Sequence, residues 1–170
     1  MEEVRYDAVV VFRFDEGWSS SWTADEELRR LGLEKAGEHK AVLITHATMP
    51  SATRDIQNRR YAGTTICRYA DNMKECIWRY RWKNILVIAA TPMVDRCMRD
   101  MQRICGGEVS VYEDDNLRMS RPYHHWFINK GFRVEERPIR KAMQWWAREA
   151  LISLIPWPIY RWWMSSSKDW

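Results

Sequence analysis

Five side chains in this chain are of types that do chemistry and fall where ligands are usually held: Asp15, Thr45, His46, Thr91 and Arg96. A carboxylate beside an imidazole can pass a proton or grip the hydroxyls of a ribose. A guanidinium next to a helix start can hold a phosphate, because its charge and the helix amides act on the same anion. Threonine hydroxyls would orient such a ligand. To meet, these residues must lie at the carboxyl ends of neighbouring strands in an open α/β sheet, where that architecture binds ligands. Thr48 falls at the same end.

The elements that would put them there are legible. DAVVVFRF (residues 7–14), AVLIT (41–45), NILVIAA (84–90) and EVSVY (108–112) are short apolar or β-branched runs of the kind buried on both faces of a parallel sheet. Thr23 and Glu26 make a capping box with acidic residues in the first turn, opening a helix that carries Leu28 and Leu31 and stops near Gly37. Ile66, Ala70, Met73, Ile77 and Tyr80 form the apolar stripe of a second helix, and Met93, Cys97, Met101 and Ile104 that of a third behind Pro92. Gly106-Gly107 ends it. Residues 113–134 read as irregular, with FRV (132–134) as a short edge element. A last helix begins near Pro138, with Ile139, Met143, Trp146, Ala150 and Leu154 expected to face inward, and breaks at Pro156. Repeated strand–helix alternation implies right-handed crossovers. The expectation is a three-layer, Rossmann-like α/β domain over residues 1–150. Its sheet is mostly parallel, of about four to five strands, with helices on both faces, and a Trp-rich tail follows over 151–170.

Composition narrows the function classes. The chain has 170 residues, enough for one domain with its own core, and a formal charge of only +4. The basic excess is local: eight Lys or Arg against three acidic residues lie between Arg54 and Lys83. A solvated helix face is the plainest reading of that stretch. Nucleic-acid binding would require exposed aromatics beside it, with Tyr61, Trp78 and Trp82 as candidates, and is the weaker alternative. The four cysteines show neither a C-x-x-C pair nor zinc-like spacing, and no signal peptide precedes the first strand. Free thiols in a reducing, cytoplasmic setting follow, with peripheral membrane contact as a further option. Adjacent His124 and His125 point to opposite faces of a strand and make a poor metal pair, so no metal is expected. Neither GxGxxG, P-loop nor nucleophile elbow is present.

Tryptophan is the compositional outlier: of eleven, six lie in the last 26 positions. Trp157, Tyr160, Arg161, Trp162 and Trp163 combine apolar rings, polar tips and a cation, as membrane-headgroup or partner contacts do. The competing arrangement folds this tail back over a sheet edge or a helix pair.

The run YADNMKECIWRYRWKNILVIAATPMVDRCMRDMQRI, with DAVVV, VLITHAT and REALISLIP, resembles the YdcF/SanA/ElyC-like domain family. Asn72 matches the Asn of that family's Glu-Asn-Ala core, which implies Asn72 as a further ligand-binding residue, Arg96 matches the Arg of its His-Met-x-Arg-Ala turn, and Thr45 the Ser before its second Gly doublet. Both doublets are replaced, by Arg13-Phe14 and His46-Ala47, and Met93 stands where the turn histidine would be. Glycine pairs let backbone amides approach a phosphate, so their replacement reshapes any pocket there. The resemblance implies a Rossmann-like fold, a small nucleotide-like ligand such as S-adenosylmethionine, and a role in cell-envelope metabolism of peptidoglycan or lipid carriers. The leading expectation is therefore a small phosphate- or nucleoside-containing ligand at the strand ends. A non-catalytic module docking through the Trp-rich tail is the alternative.

Overall fold

The structure is a computed structural model describing residues 4–14, 23–47, 49, 57–61, 66–120, 126 and 138–166, with the side chains of 23, 138–142, 165 and 166 not described. Five strands, β1 (Ala8–Val11), β2 (Val42–His46), β3 (Asn58–Tyr61), β4 (Asn84–Ile88) and β5 (Ser110–Glu113), form one sheet of order β3-β2-β1-β4-β5. Every pairing is parallel, with Val9 opposite Leu43 on one side and Leu86 on the other. The helices are α1 (Thr23–His39), α2 (Ile66–Arg79), α3 (Val94–Cys105), α4 (Asp115–Ser120), α5 (Pro138–Leu154) and α6 (Trp157–Ser166). Helices cover both faces of this all-parallel sheet, giving the three-layer, Rossmann-like α/β architecture.

Strand β1 is the centre because its AVVV is apolar at every position and wholly buried, which suits a strand covered on two faces. Asp7 fastens its start to β4: one carboxylate oxygen accepts the amides of Lys83 at 2.8 Å and Asn84 at 3.0 Å. Helix α1 lies close against β1 through Gly32, where a Cβ would run into Val11 Cγ2. The stripes of α2 and α3 fall inward as their periodicity implies, except that Tyr80 lies beyond the end of α2 and is exposed.

Several boundaries differ from the sequence reading. Strand β3 is a polar edge strand, NRRY, whose residues give no apolar run. Helix α1 continues past Gly37 to His39 and closes on Lys40 at φ 52°, with the Ala41 amide reaching the Ala36 carbonyl at 2.9 Å. Arg81, at φ 53°, closes α2 in the same way, the Trp82 amide bonding the Ile77 carbonyl at 3.1 Å. Two basic residues thus take the left-handed position that glycine more often fills. The stretch after β5 contains a short helix, α4, whose Leu117 amide is held by the Asp114 carboxylate at 3.2 Å. The Thr23 cap, His124, His125 and residues 132–134 lie outside the described residues.

The largest correction concerns α5. Met143, Trp146 and Leu154, expected inward, are exposed, and the inward face carries Trp145, Glu149 and Ile152 instead. Beyond Pro156, α6 lies across α2 and α3 rather than on a sheet edge. The Tyr160 hydroxyl donates to Asp100 Oδ2 of α3 at 2.7 Å, both residues being fully buried. Arg99 holds the other Asp100 oxygen at 3.0 Å and stacks on the Tyr160 ring, while Arg161 reaches Asp71 of α2 at 3.4 Å.

Two outcomes test this packing by urea denaturation. Gly32→Ala should lose about 1–3 kcal/mol to overpacking against Val11, whereas Gly107→Ala, with open space around it, should change stability by no more than about 0.5 kcal/mol. Tyr160→Phe should cost about 1–3 kcal/mol, as a buried acceptor loses its donor. Burial, then the Asp100 charge, pushes the Tyr160 hydroxyl above its ordinary 10.0. The native state therefore keeps this proton after the unfolded chain has lost it. That contribution is whole below about pH 10 and fades as pH rises further, a loss the Tyr160→Phe variant should not show.

Candidate functional site

In a sheet of this order the dinucleotide crevice opens where connections leave β1 and β4 in opposite directions. Here that crevice is occupied by the protein's own aromatics. Phe14, just after β1, packs edge-on against Trp126 and tilted against Trp145. The Trp126 indole donates to Thr91 Oγ1 at 3.2 Å and the Trp145 indole to the Pro92 carbonyl at 3.3 Å, tying the cluster to the turn after β4. The neighbouring turn after β1 is closed as well: Asp25 of α1 accepts the Phe14 amide at 2.8 Å and the Arg13 guanidinium at 3.0 Å. Arg13 and Phe14 stand where the resembled family has its first Gly doublet, and both are engaged in packing.

The sequence candidates disperse around this plug. Thr45 is fully buried, and its hydroxyl bonds Asn58 of the edge strand at 3.2 Å. The His46 ring sits 5.7 Å from that of Tyr69, whose hydroxyl in turn caps the Val11 carbonyl at 3.1 Å. Asn72 is exposed on α2. Asp15 and Thr48 lie outside the described residues. Among the described candidates, Thr91 and Arg96 alone line one cleft.

They meet in a cleft of about 450 Å³ beside the start of α3, lined also by Pro92, Asp95, Arg99, Arg118, Trp146, Glu149, Ala150, Ile152 and Ser153. Arg96 is 7% exposed. Its Nε lies 3.2 Å from Glu149 Oε2 of α5, while Nη1 meets no hydrogen-bond acceptor. Burial alone would draw a proton from this guanidinium, but the Glu149 charge prevails and raises its pKa. At the mouth, Arg118 of α4 reaches Asp95 at 2.6 Å and Glu113 at 2.9 Å, and these carboxylates raise its pKa too, the Asp95 hydrogen bond most. Met93 supplies no side-chain cap to α3. The positive end of that helix therefore opens toward three arginines.

Sequence reasoning found Thr91 and Arg96 but missed Glu149, Arg99, Arg118 and Trp146. The available signal was Glu149 itself, a lone acid in the apolar C-terminal helix and a natural partner for a buried cation. The basic stretch also resolves: Lys74 covers the exposed Trp78 and Arg59 covers Tyr80, whereas Trp82 is buried and Tyr61 half-buried. All four cysteines are buried free thiols. Burial, helped by Asp100, pushes Cys67 up to about 12, which leaves it inert as a nucleophile. Among the described residues no group of three or more His, Cys, Asp or Glu gathers as metal ligands would.

No protein-family model, curated protein or solved structure matches the chain. The likeness to the YdcF/SanA/ElyC-like family rests on the residues quoted for it.

The Arg96–Glu149 pair is open to direct test. Arg96→Met removes the buried guanidinium that faces the half-buried Glu149 carboxylate and should cost about 3 kcal/mol. Arg96→Met combined with Glu149→Leu should restore most of that loss, as read from urea midpoints of the two variants.

Proposed function

We propose that the chain binds a small phosphate-bearing ligand in the cleft beside α3. The observation that carries this is Arg96: a cation 7% exposed, lining an open cleft, with Nη1 lacking an acceptor. A buried guanidinium nitrogen without an acceptor is costly, and an anionic oxygen at that point would satisfy it. The first amides of α3, which Met93 does not cap through its side chain, supply further donors to the same anion, with Arg99 and Arg118 nearby. Pro92, Ile152 and the Trp146 ring give the remainder of the ligand an apolar wall. The aromatic plug between β1 and β4 disfavours an adenosyl group lying across the usual crevice. The phosphate is thus the part of the expected ligand that the cleft suits, and the nucleoside is not. No side chain of the cleft forms a nucleophile–base pair, so the reading stops at binding.

The test is a thermal-shift titration of the whole chain with pyrophosphate, adenine nucleotides and S-adenosylmethionine. Pyrophosphate at a hundred times its dissociation constant should add about 2.7 kcal/mol of stability. Arg118→Ala, which alters an exposed residue, should keep the fold and reduce the shift at least threefold. Equal shifts in the original chain and the variant would place the ligand elsewhere. No shift with any phosphate compound would remove the reading altogether.

A further inference from the structure

The three guanidiniums that line the cleft are engaged very differently. Arg99 bonds Asp100 and stacks on the Tyr160 ring, so it is committed to the packing of α6. Arg96 lies deep, and among the described residues no acceptor reaches its Nη1. Arg118, at the mouth, is held by two carboxylates from two elements: Asp95 in the first turn of α3 and Glu113 at the end of β5. Both bonds use one nitrogen, Nη2. Neither acid therefore makes the two-pronged contact by which a guanidinium grips an oxyanion most firmly. The two acids also differ. The Glu113 side chain is 28% exposed and keeps Arg118 beside its strand, whereas that of Asp95 is 86% exposed. An ion pair so open to water contributes little to stability. Once released, Asp95 would remain in the first turn of α3, where water and the positive helix end both suit a carboxylate.

The cleft thus offers two places for anionic oxygens. The deep one, at Arg96 Nη1, receives no oxygen from the described residues. The outer one, at Arg118, is taken by Asp95, a carboxylate of the protein itself that also lines the cleft. Asp95 and Arg96 are consecutive in the chain and both arginines line the same cleft, so one small ligand can meet both. Resting on the reading that this cleft takes a phosphate, we infer that its ligand carries two anionic groups in tandem, as a diphosphate does. The inner group meets Arg96 and the first amides of α3. The outer group takes Arg118 from Asp95, because a phosphate brings more charge than a carboxylate and can engage both prongs of the guanidinium. Asp95 is then an internal competitor that sets specificity. A lone phosphate satisfies Arg96 and leaves the outer pair intact, whereas the second anionic group gains by replacing Asp95.

The experiment is calorimetric titration of the full chain with orthophosphate and with pyrophosphate, in the original sequence, Asp95→Asn, Arg118→Ala and the double variant. Residues 95 and 118 are both exposed, so the fold should be kept in each. Pyrophosphate should bind at least tenfold tighter than orthophosphate, and Arg118→Ala should erase most of that preference while moving orthophosphate less than twofold. Asp95→Asn should tighten pyrophosphate at least threefold, and this gain should vanish when Arg118 is also replaced. A gain that survives in the double variant is relief of simple repulsion and would overturn the exchange, as would no gain at all. If Arg118→Ala weakens both anions equally, the two arginines grip one phosphate; the cleft reading then stands and the tandem ligand falls. Binding of neither anion would instead remove the cleft reading, and this inference with it.

Discussion

The ion pair between Arg96 and Glu149 decides how the C-terminal third of the protein is arranged. A guanidinium buried at the start of α3 requires an anion close by, and among the described residues Glu149 provides it. Bringing Glu149 inward fixes the rotation of α5, because residues four and three apart share a helix face. Trp145 and Ile152 turn in with it, the first closing on Phe14. The opposite face, richer in apolar residues, turns out. One electrostatic requirement thus overrides the hydrophobic ranking of the two faces, and it leaves a cleft where α5 stands off from α4.

One turn along α3, Asp100 does for α6 what Arg96 does for α5. It is fully buried, held by Tyr160 and Arg99, and 3.5 Å from Cys67 Sγ. Opposite charges at positions 96 and 100 of one helix each recruit a different C-terminal helix through a different chemical group. A hydrophobic groove alone would accept several registers; a carboxylate that must receive a tyrosine hydroxyl accepts fewer.

Legibility in the sequence followed the strength of local patterning. The four strands built from consecutive apolar or β-branched residues, and the stripes of α2 and α3, were readable because those residues face a core on their own period. Strand β3 was not, since an edge strand needs no apolar run and NRRY has none. The end of α1 was misplaced because Lys40, not a glycine, takes the left-handed turn. The face of α5 was inverted because period alone cannot weigh a long-range partner 53 residues away in sequence, the separation of Arg96 and Glu149. Arg96 and Thr91 were found from the rule for strand ends. The cleft around them depends on α4 and α5, whose placement no local signal encodes.

The order of the sheet also shapes how the chain is assembled. Strand β1 is made first and is the most apolar, yet one of its two neighbours, β4, begins only at Asn84. During synthesis β1 can pair with β2, but its other edge stays open until more than seventy further residues have been made. An open edge of AVVV is a template for pairing with other chains. Non-local parallel pairings of this kind form slowly. The interval between the emergence of β1 and that of β4 is therefore when a nascent chain of this protein is most exposed to aggregation, and when a holding chaperone would matter most.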